Sequence, residues 1–418
     1  MSEQESTQNN TEVCTGRLGR FEIWFMARLG PITCAFAVFA VATIATSAAA
    51  IGQKKASARD ISALLETERA KHALPAVAAV VIKKDRIVAR GVAGVRKLGD
   101  DTKAGLDDRW HLGSDTKAIT ATMIGVLVER GVMKWETKIK EALPDLAESI
   151  RADYADVTVE MLLAHRGGIR HESEVPGLWA TLWKREGTPV EERRKMAKVM
   201  LMQEPKVAPG EYFYANCGYG IAGHMAETIT GKPWEQLMRE LVFEPLGMNS
   251  AGFGVPWEDE PPTDPWPHSS SGVFLSPGAF ADNPPSIGPG ATVHASLDDW
   301  AKFVIDHLHG LRSRKSVLLK TATYRRLHRG QKTGEGGAYA LGWMVLERDW
   351  AKSKSGRGKG RCLHHAGSNN SWFALVWIAP KRDLAVLTVT NIGGSGIFPK
   401  IDAVNWAVIQ DHLKRSGG

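Results

Sequence analysis

Cysteine is scarce in this sequence. Cys14, Cys34, Cys217 and Cys362 are its only four in 418 residues, too few for a disulfide framework and without the paired spacing that holds zinc. Cys217 and Cys362 are expected to be free and buried. His364 and His365 are adjacent, and neighbours on a strand point to opposite faces, so they form no chelate. No metal or cofactor is therefore expected. A Gly-x-Ser-x-Gly nucleophile elbow is absent, which argues against an α/β-hydrolase triad. Internal repeats are absent too. Acidic residues do not dominate: the formal charge is +7, and 43% of residues are hydrophobic, which describes a globular chain long enough for a large core. The densest basic stretch, Lys352 to Arg361, is Gly/Ser-rich, lacks interleaved aromatics and reads as a solvated hairpin tip. No nucleic-acid partner is expected from it.

Long apolar runs are missing apart from one. Leu29 to Gly52 carries no charge, follows Arg17, Arg20 and Arg28, and contains Ser47-Ala48-Ala49-Ala50, small residues of the kind cut by signal peptidase. Met26-Ala27-Arg28 makes an ordinary signal start. Residues 1–50 are thus expected to be an export segment cleaved near Ala50. The alternative is an uncleaved membrane anchor over residues 29–51, which is long enough to span a bilayer. Either way the body is expected to be exported, to the periplasm or the extracellular space.

In the body, Ala58 to Ala70 has the spacing of an amphipathic helix, and Ala76–Ile82 and Arg86–Gly94 read as a β-hairpin. Helices are expected at 190–203, 220–229 and 234–242, with a long Trp/Pro/Gly/Ser-rich loop over 257–289. Ser296 caps a further helix, with Asp299 at the capping-box position. Strands follow at 339–346, 362–366, 372–378 and 385–390, and a helix at 402–413 closes the chain. Strands at both ends with helices between suggest one α/β sheet assembled from both termini. The α/β part is placed at about 58–113 and 290–414, and the helical part at about 114–289.

The chemistry centres on Ser114-Asp115-Thr116-Lys117. No other serine here has lysine three residues on. The helix expected over Ala118–Arg130 puts Ser114 at its first turn, within reach of the Lys117 amine. There, free N–H groups favour developing negative charge. A serine hydroxyl needs a base, and a desolvated lysine can be one. Read alone, the pair also describes a serine N-cap beside a surface lysine.

Two further motifs follow in order, Tyr214-x-Asn216 and His365-Ala366-Gly367. With them the sequence resembles the serine β-lactamase/penicillin-binding-protein superfamily, in particular the class C-like group of class C β-lactamases, D-Ala-D-Ala peptidases and family VIII carboxylesterases. The stretches Met161-Leu162-Leu163-Ala164-His165-Arg166-Gly167-Gly168-Ile169 and Phe243-Glu244-Pro245-Leu246-Gly247-Met248 are similar to segments of the same group, and the resemblance covers about 58–413. It implies a β-lactamase-like fold, with a mostly antiparallel sheet, flanking helices and a mainly helical insertion, and catalysis through an acyl-enzyme on Ser114. Lys117 takes the serine proton or holds the charge that lets another group do so. Tyr214, whose phenolate a neighbouring ammonium favours, is a candidate general base. Asn216 orients Lys117 or the substrate. The backbone N–H groups of Ser114 and Ser368 would form the oxyanion hole, with Ala366 and Gly367 small enough for substrate to lie against the strand. His165 is read as structural.

His365 occupies the place where many relatives carry the lysine of Lys-Thr-Gly. A literal Lys332-Thr333-Gly334 comes one element too early and is read as a surface loop. A histidine is mostly neutral at pH 7, which points to uncharged carboxylic esters as substrates. β-Lactams and D-amino-acid peptides are the alternative, and a penicillin-binding sensor that acylates without turnover is a third reading. Trp179, Trp183, Trp257 and Trp266 could wall an acyl pocket or belong to the core. N-terminal sequencing of the mature protein is expected to begin near residues 50–53. A chain that still carries Leu29 to Ala50 would show the run to be retained.

Overall fold

The fold was examined in a computed structural model, which describes residues 57–256, 263–275, 281–334, 336–353 and 355–417. The apolar run at 29–52, the start at Met26, Cys14, Cys34 and Trp257 lie outside the described residues. No described helix is long and apolar enough to cross a membrane.

Strand β2 (Ala76–Lys83) is almost uninterrupted Ala, Val and Ile, and all but its last residue are buried. A strand of that composition belongs inside a sheet covered on both faces. It pairs antiparallel with β3 (Arg86–Gly94) on one side and, on the other, with β12 (Leu384–Thr390). The sheet continues through β11 (Phe373–Ala379), β10 (Arg361–Ser368), β9 (Met344–Glu347), β8 (Ala338–Tyr339) and β7 (Gln331–Lys332), and β1 (Arg59–Asp60) adds a parallel edge beside β3. The sheet is thus mostly antiparallel and assembled from both chain ends. Alternate residues of β2 serve different cores. Ala76, Ala78, Val80 and Ile82 face the one that holds the Thr116–Glu129 helix, and Val77, Ala79 and Val81 face the one that holds the Ile397–Arg415 helix.

Several expected elements shift at their ends. The first helix is Ser62–His72, because 59–60 are drawn into the sheet edge. The region expected as one strand over 339–346 is two short strands around the Gly342 turn. A small second sheet, β4 (Arg109–His111), β6 (Val293–Ser296) and β5 (Gly252–Phe253), has no counterpart in the sequence reading. Ser296 caps the Leu297–Leu311 helix through its Oγ, but Asp299 does not close the box; its carboxylate accepts from Ser250 instead. The described residues of the Lys352–Gly360 stretch follow β9, and Arg361 opens β10, paired with Glu347. Cys217 and Cys362 are both free and buried.

The Thr116–Glu129 helix differs most in environment. The sequence shows one apolar face, yet every residue from Thr116 to Leu127 is buried. Its threonines make this tolerable: Thr116 Oγ1 accepts from Val293 N, Thr120 donates to Pro289 O, and Thr122 donates to Ala118 O. Its N-terminal end is clamped by two close approaches. Gly342, at φ +84°, lies so near that a β carbon there would fall 2.5 Å from Ala118 Cα. On Gly367 of β10 a β carbon would fall 1.8 Å from Leu112 O and 2.8 Å from Ser114 N. Gly367→Ala should therefore push β10 off the Ser114 turn. The expected cost is about 1–3 kcal/mol, seen as a lower melting temperature, with hydrolysis lost out of proportion to the fraction unfolded.

Candidate active site

Ser114 lies in the 3-10 turn Gly113–Asp115, immediately before the buried helix. Lys117 lies in the first turn of that helix, three residues on, with none of its surface exposed. Its Nζ is 3.0 Å from Ser114 Oγ, 2.8 Å from Asn216 Oδ1 and 2.9 Å from Gly290 O. Asn216 opens the Asn216–Thr230 helix, which starts four residues earlier than the sequence suggests, and Tyr214 lies in the extended segment before it. The Tyr214 hydroxyl donates to Ser114 Oγ at 2.9 Å. Ser114, Lys117, Tyr214 and Asn216 are thus joined by direct hydrogen bonds.

Burial dominates the electrostatics. It lowers the Lys117 pKa to about 7, against the opposing pull of Glu172 and Asp115. A neutral amine has two N–H donors and one lone pair. Two of the Lys117 partners are carbonyl oxygens, which only accept, and the third is a hydroxyl that can donate. An ammonium donates to all three; a neutral amine keeps the two carbonyl contacts and turns its lone pair to the serine proton. Burial also raises the Tyr214 pKa above the ordinary value, although its bond to Ser114 works the other way. The expected phenolate therefore does not form at rest, and Tyr214 keeps its proton. Asp115 is buried with neither carboxylate oxygen bonded to any described residue, and burial raises its pKa well above normal.

Beyond His364, β10 has no partner on the β9 side. Its open edge meets the Ser114 turn: a β carbon on Gly113, at φ +51°, would lie 2.3 Å from Ser368 N. The Ser114 and Ser368 amides therefore border one crevice. The Ser368 side chain is used locally, donating to Trp372 O and accepting from Asn370 N. His365 is on the same face of β10 as Gly367, and His364 stacks on Trp377 across the sheet. His365 Nδ1 is 2.9 Å from Ala366 O and Nε2 is 3.2 Å from Tyr339 OH. Both ring nitrogens are engaged inside the protein, and burial beside Lys117 holds the pKa well below the usual histidine value. Lys332 is exposed on β7, three strands from β10.

His165, at φ +56°, accepts from Ala215 N through Nδ1 and from Phe213 N through its carbonyl. It packs 4.2 Å from the Tyr214 ring and so fixes the segment that carries the tyrosine. Trp179 and Trp183 pack edge to face, and Trp266 is buried in the core.

Two contributors were not foreseen. Gly290 acts through its backbone carbonyl, which no side-chain pattern announces. Glu172, only 1% exposed, accepts from Asn216 Nδ2 at 2.9 Å, while Cys217 Sγ lies 3.6 Å from its other oxygen. It fixes which way the Asn216 amide faces and so aims Oδ1 at Lys117. In sequence it lies among Arg170, His171 and Glu174, where a further charge carries no signal.

A family model described as Beta-lactamase matches residues 61–410. The chain belongs to the beta-lactamase family. Penicillin-binding protein 4 of Amycolatopsis lactamdurans is 24% identical over 352 residues, which cover 79% of this chain and 84% of that protein. Unguisins hydrolase ungD' of Aspergillus campestris is 25% identical over 303 residues, 68% of this chain and 53% of that protein. The chain thus spans about half the length, or less, of the fungal hydrolases it matches. Among solved structures, a D-stereospecific amidohydrolase from Streptomyces sp. superposes with a TM-score of 0.64 at 20% identity, over 82% of this chain and 96% of that one. It has the same fold. Family and fold thus agree over nearly the whole described chain.

Glu172→Gln should leave the fold intact but remove the anion that raises the Lys117 pKa. The acidic limb of kcat/KM is expected to move to lower pH, by up to about one unit, and kcat to fall as the Asn216 amide loses its fixed orientation. An unchanged pH profile would remove Glu172 from the site.

Proposed function

We propose that this chain is a serine hydrolase that works through an acyl-enzyme, with Ser114 as nucleophile, and that its substrates are uncharged carboxylic esters. The observation that carries the reading is the Lys117 nitrogen, buried and held between two carbonyl acceptors and the serine hydroxyl. As Ser114 Oγ bonds to the substrate carbonyl carbon, its proton passes to the Lys117 lone pair. The carbonyl oxygen becomes an oxyanion facing the Ser114 and Ser368 amides. Collapse breaks the bond to the leaving alkoxide, which takes a proton from the Lys117 ammonium or from Tyr214, itself then reprotonated by Lys117. In the second half, water gives its proton back through the same groups, adds to the acyl carbon and releases Ser114. The ester preference rests on His365, whose neutral, internally bonded ring offers no fixed positive charge for a substrate carboxylate.

One observation favours a second reading. Tyr214 retains its proton 2.9 Å from Ser114 Oγ, where it can protonate a leaving nitrogen. That suits amides and β-lactams, in line with a structural neighbour named as a D-stereospecific amidohydrolase.

p-Nitrophenyl butyrate and a chromogenic cephalosporin separate the two. Ester turnover with little cephalosporin opening is expected. Because the amine must be deprotonated to act, kcat/KM should rise as pH climbs through about 7 and then level off. Ser114→Ala should lose turnover with its melting temperature kept. Faster cephalosporin opening would put the second reading first. A single burst without turnover would indicate a sensor, and activity retained in Ser114→Ala would move the nucleophile elsewhere.

A further inference from the structure

On the face of the sheet opposite Ser114, a cavity of about 240 Å³ lies between the segment that follows β9 (Arg348, Trp350), Trp377 of β11 and the C-terminal helix. Nothing in the hydrolytic reaction uses it. Its walls are Trp350, Trp377 and Trp406, with Arg348, Asp402 and Asn405 among them. Asp402, Asn405 and Trp406 share one face of the Ile397–Arg415 helix, at the i, i+3, i+4 spacing. Trp350 and Trp377 meet at 71° with ring centroids 6.2 Å apart, so the cavity has indole walls set almost at right angles. Trp406 is 41% exposed, an unusual expense of apolar surface for a residue so large.

The polar groups have unused hydrogen-bonding capacity. Asn405 is fully buried, its Nδ2 donates to Thr388, and its Oδ1 has no partner among the described residues. Asp402 accepts from Trp377 Nε1 through one oxygen only. The Arg348 guanidinium lies over the Trp377 ring, 5.1 Å from the centroid, and forms no ion pair among the described residues. One cation and one anion leave the lining with no net charge. Arg348 disfavours a cationic ligand that would otherwise suit an aromatic box, and Asp402 disfavours an anion. The volume falls below the ~300–1,000 Å³ of sites for drug-sized ligands, so the occupant is about one ring in size.

We propose that this cavity binds a neutral pyranose, a free sugar or one residue of a glycan. Such a ring has a flat C–H face that stacks on indole and a rim of hydroxyls that both donate and accept. Arg348 donates to that rim and Asp402 accepts from it. Because His364 and Trp377 lie on the sheet face away from His365 and Ser114, occupancy leaves the hydrolytic crevice free.

The test uses the full chain and the methyl glycosides of glucose and N-acetylglucosamine, followed by calorimetry and tryptophan fluorescence. A saturable signal is expected from at least one glycoside. It should weaken tenfold or more in Trp406→Ala (about 1.4 kcal/mol), and similarly in Asp402→Ala, while kcat/KM on p-nitrophenyl butyrate stays unchanged. Cyclohexanol, which has the ring without the hydroxyl rim, and glycine betaine are the comparison ligands. Binding of cyclohexanol as tight as that of the glycosides would overturn the proposal, as would betaine binding in their place. So would glycoside binding that survives both substitutions, or no glycoside binding at all.

Discussion

A lysine nitrogen taken wholly out of water must have a partner for every proton and lone pair it keeps, and much of this protein's interior is arranged around that demand at Lys117. Burying the ammonium is costly, so the group moves toward its neutral form. The neutral form then needs two acceptors and one donor. The acceptors come from a second helix, through Asn216, and from the backbone at Gly290. The donor is the nucleophile. Glu172 holds the asparagine amide, and the threonines of the surrounding helix satisfy their own hydroxyls so that nothing competes for Lys117. An exposed lysine at this position would be an ordinary surface cation and no base at pH 7.

The same dryness explains why Tyr214 departs from expectation. The argument for a phenolate assumed a charged neighbour, but the environment that would make a charge effective also discourages the lysine from carrying it. With the lysine pKa drawn down to about 7, its charge no longer outweighs the cost of a buried phenolate, and the Ser114 bond offsets that cost only in part. The tyrosine therefore keeps its proton and becomes suited to giving it away. Spacing along the chain can locate both residues, but it cannot say which is dry enough to lose its charge.

What could be read from the sequence follows from how local each signal is. Ser114 and Lys117 are one helical turn apart, so their meeting is fixed by backbone geometry. Tyr214 and Asn216 were found through motif order, and His365 was preferred over Lys332 by counting strands, with Lys332 indeed at the far sheet edge. The sheet was legible because Ala76–Ile82, Trp372–Ile378 and Ala385–Thr390 are apolar runs of strand length. Glu172 and Gly290 were not legible: one acts through a contact 44 positions away, the other through a carbonyl that any residue possesses. Helix 116–129 shows one apolar face in sequence; that its threonines are buried too follows only from distant backbone, Pro289 O accepting from Thr120 and Val293 N donating to Thr116.

The pairing of β2 with β12 has a consequence in time. Ala76 N, near the start of the described chain, bonds Asn391 Oδ1, 315 positions later, and contacts of such separation form slowly. A ribosome that has already released the nucleophile, its base and the tyrosine has not yet released β10, which forms one wall of the crevice, or β12, which holds β2 in the sheet. A nascent chain therefore carries these residues before it has a complete site around them. The Ser114–Lys117 cluster thus depends on strands made hundreds of residues later, and truncation within β10 to β12 should dismantle it.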